Sequence, residues 1–445
     1  MNLTIKVLLG VFFGILLGLF LNLSGLNTEG SWTNSYLVEG LFLVVGKMFV
    51  NALKMLVVPL VFFSLICGVC GIGNLSTLGR VGGKSFLLYM LTTAIAIAVA
   101  ISIAVSVGLG QGMQFEETTG FIVKETPPLT DVIIGIIPSN PVHAMANGEM
   151  LPLIFFSILL GISMLMVGEK SAPLVKSAEI ANEIMMKMVT IVMAAAPYAV
   201  FALIAKSIAE LGLELLIQLA AYVAVLVGAL MVHFLFTLMI VLKLFSGLSP
   251  MIFLRKIRSM QVFAFSTASS NATIPVTLKT VTQRLGVDNA VASFTVPFGA
   301  TINMDGTAIM QGVATVFIAN IYGLELGVAG YLTVILMSVL ASIGTAGVPG
   351  VGLIMLSMVF TQVGLPIEGI GLILGVDRLM DMIRTVVNVS GDAVVTSIVA
   401  KSEGSLDLAI YDDLDAGVVD ADSLSIDKTA EAALADLIHS EELRG

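Results

Sequence analysis

The sequence has little charge: only 12% of its 445 residues are Asp, Glu, Lys or Arg, whereas 57% are hydrophobic. Soluble domains usually carry roughly 25% charged and 45–50% apolar residues, so a water-soluble fold could not bury this much apolar surface. Runs without Asp, Glu, Lys or Arg, such as 86–109 and 215–242, exceed the about 20 residues that a helix needs to cross hydrocarbon. The composition therefore predicts an all-α polytopic membrane protein surrounded by membrane lipids.

Cysteine and histidine are also scarce. Cys67 and Cys70 lie in an apolar stretch, where thiols are usually packing residues, so we infer no redox or metal chemistry from them. The three histidines, His143, His233 and His439, are scattered, and no nucleophile–base pair is visible. We therefore expect no enzymatic activity, no organic cofactor and no nucleic-acid partner.

Acidic residues are concentrated at the C-terminal end. The formal net charge is −10, and residues 401–445 contain 12 acidic and 3 basic residues. This composition predicts a solvated, partly disordered cytoplasmic tail over 404–445. Within it, 430–443 has a pattern compatible with a short amphipathic helix.

Long apolar runs separated by polar residues predict membrane spans near 6–26, 41–71, 84–110, 150–168, 178–208 and 216–246. No small-residue cleavage site follows the first apolar run, so we interpret it as a membrane helix rather than a signal peptide. With a cytoplasmic N-terminus, only Lys124 lies in an obvious outer loop, and the cytoplasmic side receives Arg80, Lys84, Lys170, Lys176, Lys243, Arg255, Lys256, Arg258, Lys279, Arg284 and Lys401. The positive-inside rule thus predicts a multi-pass protein of the plasma (inner) membrane with both termini in the cytoplasm.

From residue 250 onward, small and polar residues interrupt the apolar runs at four places: 265–278, 297–308, 341–352 and 377–392. Non-helical backbone at membrane depth survives only where protein or a water-filled site satisfies it, so these segments should converge on one buried site. The interruptions form two pairs. Paired broken segments are typical of inverted repeats in secondary transporters.

A polar stripe runs along the segment 377–392. Asp381, Arg384, Asn388 and Asp392 are three or four residues apart and therefore share one face of a helix. Charged groups inside membrane helices mark ion or substrate paths by default. An internal Asp381–Arg384 pair that only locks the helix remains an alternative, whereas Asp392 has no obvious basic partner, which favours a bound cation.

The segment TINMDGT places Asn303, Asp305 and Thr307 around Gly306, a sequence that disfavours a continuous helix. An unwound helix frees carbonyl oxygens for a hard cation such as Na⁺, and Asp305 supplies the neutralising charge. A surface loop is the alternative, but the flanks are uniformly apolar. The Ser- and Gly-rich turns at 269–275 and 344–350 are typical of re-entrant tips that bind a carboxylate through backbone amides.

NMDGT in combination with DMIRTVVNVSGD resembles the dicarboxylate/amino acid:cation symporters, the glutamate and aspartate transporter family, in its prokaryotic type. The resemblance extends to about Glu403. It implies eight transmembrane helices plus two re-entrant helical hairpins, arranged as inverted repeats in an elevator-type homotrimer. Hairpin tips then lie at 269–275 and 342–352, and residues 303–307 form the unwound part of the seventh helix.

The same resemblance implies a division of the chain. Scaffold helices 1 and 2 occupy 1–75, and helix 3 of the transport domain with an outer loop occupies 76–148. Helices 4 to 6 occupy 149–246, with helix 6 assigned to the transport domain. The transport core occupies 247–403, and the acidic tail 404–445.

Site residues also follow from the resemblance. Arg384 resembles the arginine that holds the substrate's side-chain carboxylate, and Asp381 the acid that binds its amino group. The implied substrate-binding set is Ser270, Thr307, Val348, Gly352, Asp381, Arg384, Thr385 and Asn388. The resemblance also implies three Na⁺ sites. The first combines Asp392 with Gly299, Asn303 and Asn388, and the second combines Asp305 with Asn303, Tyr89, Thr92 and Thr93. The third consists of Thr301, Met304, Ser342, Ile343 and Thr345.

The sequence departs from the family's pattern in three respects, at four positions. Ala268 and Met382 stand where members that carry acidic substrates often place a second arginine, which leaves the orientation of Asp381 open. Asn271 replaces a frequent third serine. Gln311 replaces the glutamate of proton- and potassium-coupled animal relatives, which favours a sodium-only cycle.

We therefore expect Na⁺-coupled import of an acidic amino acid, because a guanidinium pairs with a carboxylate through two hydrogen bonds and stays charged. A proton-coupled C4-dicarboxylate carrier is one alternative, but it would not need Asp381. A Na⁺-coupled carrier of neutral amino acids is another. An anion channel is the alternative of a different class, and it would not need two paired broken segments closing over one site.

Overall fold

The computed structural model describes residues 3–28, 30–70, 78–112, 134–343, 345, 347 and 349–417. Val348 of the predicted substrate site, Lys124 of the predicted outer loop and the predicted helix at 430–443 lie outside the described residues.

The described chain is helical, and its one β-contact is an isolated antiparallel bridge between Val287 and Leu406. The α-helices before residue 250 are α1 (Leu3–Leu23), α2 (Leu43–Cys70), α3 (Gly83–Ser106), α4 (Pro141–Asn147), α5 (Met150–Val167), α6 (Ala172–Ala194), α7 (Ala196–Leu211), α8 (Leu213–Val232) and α9 (Leu238–Ser246). Those that follow are α10 (Pro250–Lys256), α11 (Arg258–Thr267), α12 (Ser270–Lys279), α13 (Asn289–Ile302), α14 (Asp305–Ile321), α15 (Gly327–Ser342), α16 (Val351–Val363), α17 (Ile370–Ser402) and α18 (Leu408–Asp412). Short π-helical segments are Thr33–Phe42, Leu78–Gly82, His233–Thr237 and Thr280–Arg284, and 3₁₀ turns are Gly168–Ser171 and Ile367–Gly369.

Within the described part of the chain, five helical runs are long and apolar enough to cross a membrane: Ile5–Leu23, Thr33–Cys70, Arg80–Ser106, Pro152–Ala194 and Leu213–Ser246. They agree with the predicted membrane character. The predicted span 178–208 is wrong in its extent, because a helix break at Ala195 separates α6 from α7. Pro197 lies in the first turn of α7, the position where a residue without a backbone N–H is best tolerated in a helix.

After residue 257, four short helices pack in two pairs. The first helix pair is α11 with α12, each 10 residues long. The second helix pair is α15 with α16, of 16 and 13 residues. All four are shorter than the about 20 residues of a full membrane crossing.

The turn of the first helix pair is shorter than the predicted tip at 269–275. Ala268 has a left-handed backbone with φ of 49°, and Ser269 caps α12 by accepting a hydrogen bond from the Ala272 amide. The helix therefore begins at Ser270 and includes Pro275. Serine is typical of helix N-termini as well as of turns, and for this reason the predicted tip extended too far along the chain.

Helices α3, α13, α14 and α17 pack around one another, with α8 and the first helix pair against them, whereas α1 packs mainly on α7, and α2 on α5 and α6. Helix α14 is buried along nearly its whole length, and α17 along most of it. Polar side chains on these two helices therefore lie inside the protein.

A cluster of contacts, the C-terminal clip, fixes residues 405–417 to the chain around the first helix pair. The buried Lys256 Nζ donates to the carbonyls of Arg284 and Ile410, each at 2.6 Å. The Tyr411 hydroxyl donates to the Ser249 carbonyl at 3.0 Å. The described start of the acidic tail is therefore an ordered part of the fold.

Glu403, directly after α17, connects that helix to α3. Its two carboxylate oxygens lie 2.6 Å from Lys84 Nζ and 2.7 Å from Arg80 Nη2. Helix α3, which carries Tyr89, Thr92 and Thr93, is thus joined to α17 by ion pairs at one end.

Candidate functional site

Arg384 is the charged centre of α17. It is 1% exposed, and its Nη2 donates to Asp381 Oδ1 at 2.9 Å, while Nη1 lies 3.1 Å from Asp377 Oδ1. Its Nε has no hydrogen-bond partner among the described residues. A buried donor without a partner is costly, so the site has an unused capacity to bind an acceptor such as a carboxylate.

Asp377 was missed by the sequence analysis. It lies seven residues before Arg384 and therefore on the same helix face. That spacing was a visible signal, because two turns of helix separate the two residues.

Asp381 connects α17 to the second helix pair. Its Oδ2 accepts a hydrogen bond from the Gly350 amide at 3.3 Å and lies 3.7 Å from Nη1 of Arg378. The sequence analysis assigned no role to Arg378. The internal Asp381–Arg384 pair, left open as an alternative, therefore exists, but it is part of a wider set of contacts that includes the second helix pair.

Gly352 of the second helix pair lies directly against the guanidinium. A Cβ at this position would be 3.2 Å from Nη2 and 3.3 Å from Nη1 of Arg384. Any larger residue here would crowd the guanidinium.

The other predicted substrate-binding residues that the structure describes on α12, α14 and α17 are buried. Thr385 donates to the Asp381 carbonyl at 2.8 Å, and Asn388 Oδ1 accepts from the Gly306 amide at 2.7 Å. Ser270 and Thr307 are also buried.

The turns of the two helix pairs meet. The Gly347 carbonyl accepts hydrogen bonds from the Ser269 hydroxyl at 2.6 Å and from the Asn271 amide at 3.1 Å. The predicted convergence of these segments is therefore confirmed for the described residues. Asn271, one of the departures from the family's pattern, makes its contact through the backbone.

The chain leaves helical structure between α13 and α14 at only two residues, Asn303 and Met304. The predicted unwound segment 303–307 was too long, since Asp305 already begins α14, where a carboxylate is favourable at a helix N-terminus. Asn303 Nδ2 donates to the Asn388 carbonyl at 3.1 Å and to Asp392 Oδ1 at 2.9 Å. The break is thus held against α17.

The first predicted Na⁺ set is assembled around Asp392. A Cβ on Gly299 would lie 2.5 Å from Asp392 Oδ1 and 2.6 Å from the Tyr89 hydroxyl oxygen. Asn303 Oδ1 is buried and has no partner in the described part of the chain. Tyr89, predicted with Asp305, donates to the Thr295 carbonyl at 3.1 Å and lies against Gly299, at the Asp392 end.

The second predicted set is assembled around Asp305. The Thr93 hydroxyl donates to Asp305 Oδ1 at 2.6 Å, and the Thr92 hydroxyl lies 3.5 Å from the same oxygen. On the other oxygen, Oδ2, His233 Nε2 lies at 3.0 Å. The sequence analysis dismissed this histidine, and no local pattern connects it to Asp305.

The third predicted set is not joined by hydrogen bonds among the described atoms. The hydroxyls of Thr301, Ser342 and Thr345 each donate to a carbonyl of their own helical turn: Phe298, Val339 and Ala341 respectively. Met304 instead lies against Asn388, and its sulfur accepts from Asn388 Nδ2 at 3.4 Å. Ile343 is buried at the end of α15.

Buried carboxylates and an unpartnered amide oxygen fit a hard cation. Asp305 and Asp392 are both buried, and no Lys or Arg of the described residues forms an ion pair with either of them. A buried carboxylate without a cationic partner is expensive, so a bound cation would stabilise both.

Known proteins resemble this chain along most of its length. A proton/glutamate-aspartate symporter of Escherichia coli (strain K12) is 35% identical over 415 residues, which cover 90% of this chain and 93% of that protein. A proton/sodium-glutamate symport protein of Geobacillus stearothermophilus is 33% identical, with 81% and 87% covered. A C4-dicarboxylate transport protein of Bacillus subtilis (strain 168) is 31% identical, with 92% and 95% covered.

Residues 3–402 match the family described as "SDF: Sodium:dicarboxylate symporter family". The match includes α17, the break at Asn303 and both helix pairs. The chain therefore belongs to the sodium:dicarboxylate symporter family.

Proposed function

We propose that this protein is a secondary active symporter that imports an acidic amino acid, L-aspartate or L-glutamate, together with Na⁺. The observation that carries the proposal is the buried Arg384, whose Nε has no hydrogen-bond partner among the described residues and whose remaining donors face Asp377 and Asp381.

The pairing of Arg384 with Asp381 suits a substrate that carries both charges. A side-chain carboxylate binds the guanidinium, and the amino group binds Asp381. Arg384 and Asp381 then each exchange their contact with one another for a contact with an oppositely charged group of the substrate, so neither buried charge is left uncompensated. A dicarboxylate without an amino group leaves Asp381 without that compensation.

Na⁺ would be the co-transported ion. Asp305 with Thr92 and Thr93, and Asp392 with Asn303 and the Gly299 segment, supply the oxygen ligands that hard cations prefer. Neutralising these carboxylates lowers the electrostatic cost of closing the second helix pair over the substrate, and this links ion binding to closure.

The topology is part of the proposal. We infer eight transmembrane helices and two re-entrant hairpins formed by the two helix pairs, in an inner-membrane homotrimer with cytoplasmic termini. The packing of α1 on α7, and of α2 on α5 and α6, supports a scaffold, and that of α3, α13, α14 and α17 around one another supports a mobile transport core. Movement of this core as an elevator would carry the loaded site across the membrane.

Uptake into proteoliposomes tests the function. Purified protein is reconstituted, and radiolabelled L-aspartate uptake is measured under an inward Na⁺ gradient, a proton gradient or neither, with glutamate, serine and succinate as competitors. We expect Na⁺-dependent uptake that glutamate inhibits, and its loss in Arg384→Ala. Arg258→Ala, which changes an exposed arginine on α11, is the matched control.

Other outcomes select the alternatives. Uptake driven by a proton gradient and inhibited best by succinate would identify a C4-dicarboxylate carrier, as one relative is named. Best inhibition by serine would identify a carrier of neutral amino acids. Anion flux without coupled uptake would identify a channel.

A further inference from the structure

His233 is completely buried and lies next to a carboxylate of the proposed cation site. Its Nε2 is 3.0 Å from Asp305 Oδ2, and 72 residues separate the two in the chain. Because an ionised carboxylate only accepts hydrogen bonds, Nε2 must carry the hydrogen in this contact. The other ring nitrogen, Nδ1, has no partner among the described residues.

The two oxygens of Asp305 are bound by different kinds of donor. Oδ1 accepts from the Thr93 hydroxyl, which can rotate and turn its lone pairs toward a cation. Oδ2 accepts from an imidazole that is enclosed by protein and cannot turn away without rearranging its surroundings. One oxygen is thus available to a ligand, while the other is held.

The backbone supports the same assignment. His233 begins the π-helical segment His233–Thr237 between α8 and α9, and the Leu238 amide donates to the His233 carbonyl. A π turn inserts an extra residue into a helix and is frequent at functional sites. This segment packs against α3, which carries Thr92 and Thr93, so the donors to both oxygens face Asp305 from adjacent helices.

We propose that His233 is a positioning residue for the cation site at Asp305: its Nε2–H fixes the plane of the carboxylate, so that Oδ1 is directed at the ion. The inference rests on the proposed Na⁺ coupling and adds a group that does not itself touch the ion. Hydrogen-bond partners of metal-binding carboxylates typically change ion affinity about 10- to 100-fold when they are removed.

Ion binding to the purified, substrate-free protein tests this role. The midpoint of thermal unfolding is measured as NaCl replaces choline chloride, which gives the Na⁺ concentration of half-maximal stabilisation. We expect His233→Leu to raise this concentration about 10- to 100-fold. His233→Gln, whose Nε2 still reaches Asp305 as a donor, should remain within about threefold of wild type. His143→Leu, which changes an exposed histidine on α4, is the matched control and should have no effect.

The outcomes separate this inference from the proposed function. If wild type responds to Na⁺ but His233→Leu keeps the same half-maximal concentration, the positioning role is wrong although Na⁺ coupling stands. If His233→Gln raises the half-maximal Na⁺ concentration as much as His233→Leu does, the ring acts by packing rather than by its hydrogen bond, and the inference is also wrong. If Leu does not fold, His233→Asn, which is too short to reach Asp305, takes its place. A wild type without any Na⁺ response overturns both the coupling and the role of His233.

Discussion

Nη1 of Arg378 lies 3.7 Å from Oδ2 of Asp381, the oxygen that Arg384 does not use. Asp381 is therefore flanked by one arginine on each oxygen, one three residues before it and one three residues after it. The positions where relatives often place a second arginine hold Ala268 and Met382 here. Arg378 supplies a positive charge to Asp381 from the preceding turn of the same helix.

Replacing Arg378 tests this arrangement. In Arg378→Met, Asp381 loses one cation and turns further toward Arg384, so both substrate-binding groups become less available. We expect KM for aspartate to rise up to about fivefold, as for a partly exposed ion pair, with little change in kcat. Arg378→Lys should restore most of the affinity. An unchanged KM in the Met variant would show that Arg384 alone orients Asp381.

The C-terminal clip predicts a local effect of Lys256. Lys256→Met leaves the carbonyls of Arg284 and Ile410 without their donor, and each buried unsatisfied group costs about 1–3 kcal/mol. Hydrogen exchange of residues 405–417 should accelerate, while that of α14 stays unchanged. Lys243→Met is the control, since exposed Lys243 donates to the nearby Gly247 carbonyl, four residues away in the chain. Equal exchange in both variants would contradict the clip.

Glu403 predicts a dependence of stability on pH. The hydrogen bond from Lys84, with Arg80 nearby, holds the pKa of the Glu403 carboxyl below its usual value of 4.5. A carboxyl with a lowered pKa in the folded state stabilises the protein above its unfolded-state pKa, and this contribution disappears as pH falls through the folded-state value. Glu403→Gln should therefore lower Tm slightly at pH 7, and the difference from wild type should vanish in acid. A difference that persists in acid would point to packing instead.

The left-handed backbone of Ala268 predicts a stabilising glycine. A left-handed alanine destabilises the folded state by about 1–2 kcal/mol. Replacing it with glycine removes this strain but lowers stability by about 0.4–1 kcal/mol, because glycine gives the unfolded chain more conformational entropy. Ala268→Gly should therefore leave Tm unchanged or raise it. Ala272→Gly, in the first turn of α12, has no strain to relieve and should lower it. If both glycines lower Tm equally, the φ of 49° at Ala268 stores no strain.

The sequence predicted those parts of the site that are encoded locally. The polar face of α17 follows from helical spacing, and the break at Asn303 follows from turn-forming residues between apolar flanks. Contacts between distant segments left no such signal. His233 follows α8 and Asp305 begins α14, so their pairing depends on how these two helices pack. Arg378 stood within the polar run, but only the packing of the second helix pair shows which oxygen of Asp381 it faces.

Helix α17 has 33 residues and is thus about 50 Å long, and it carries Asp377, Arg384 and Asp392 on one stiff rod. Side chains on one continuous helix keep their spacing along it when the surrounding helices move. Thermodynamic communication between ion and solute therefore cannot come from α17 stretching. In the proposed mechanism, coupling passes between helices, by way of the second helix pair that contacts Asp381 and of the two-residue gap at Asn303 and Met304, which contacts Asp392 and Asn388. That gap is where substitutions should uncouple the two fluxes while leaving each binding reaction intact.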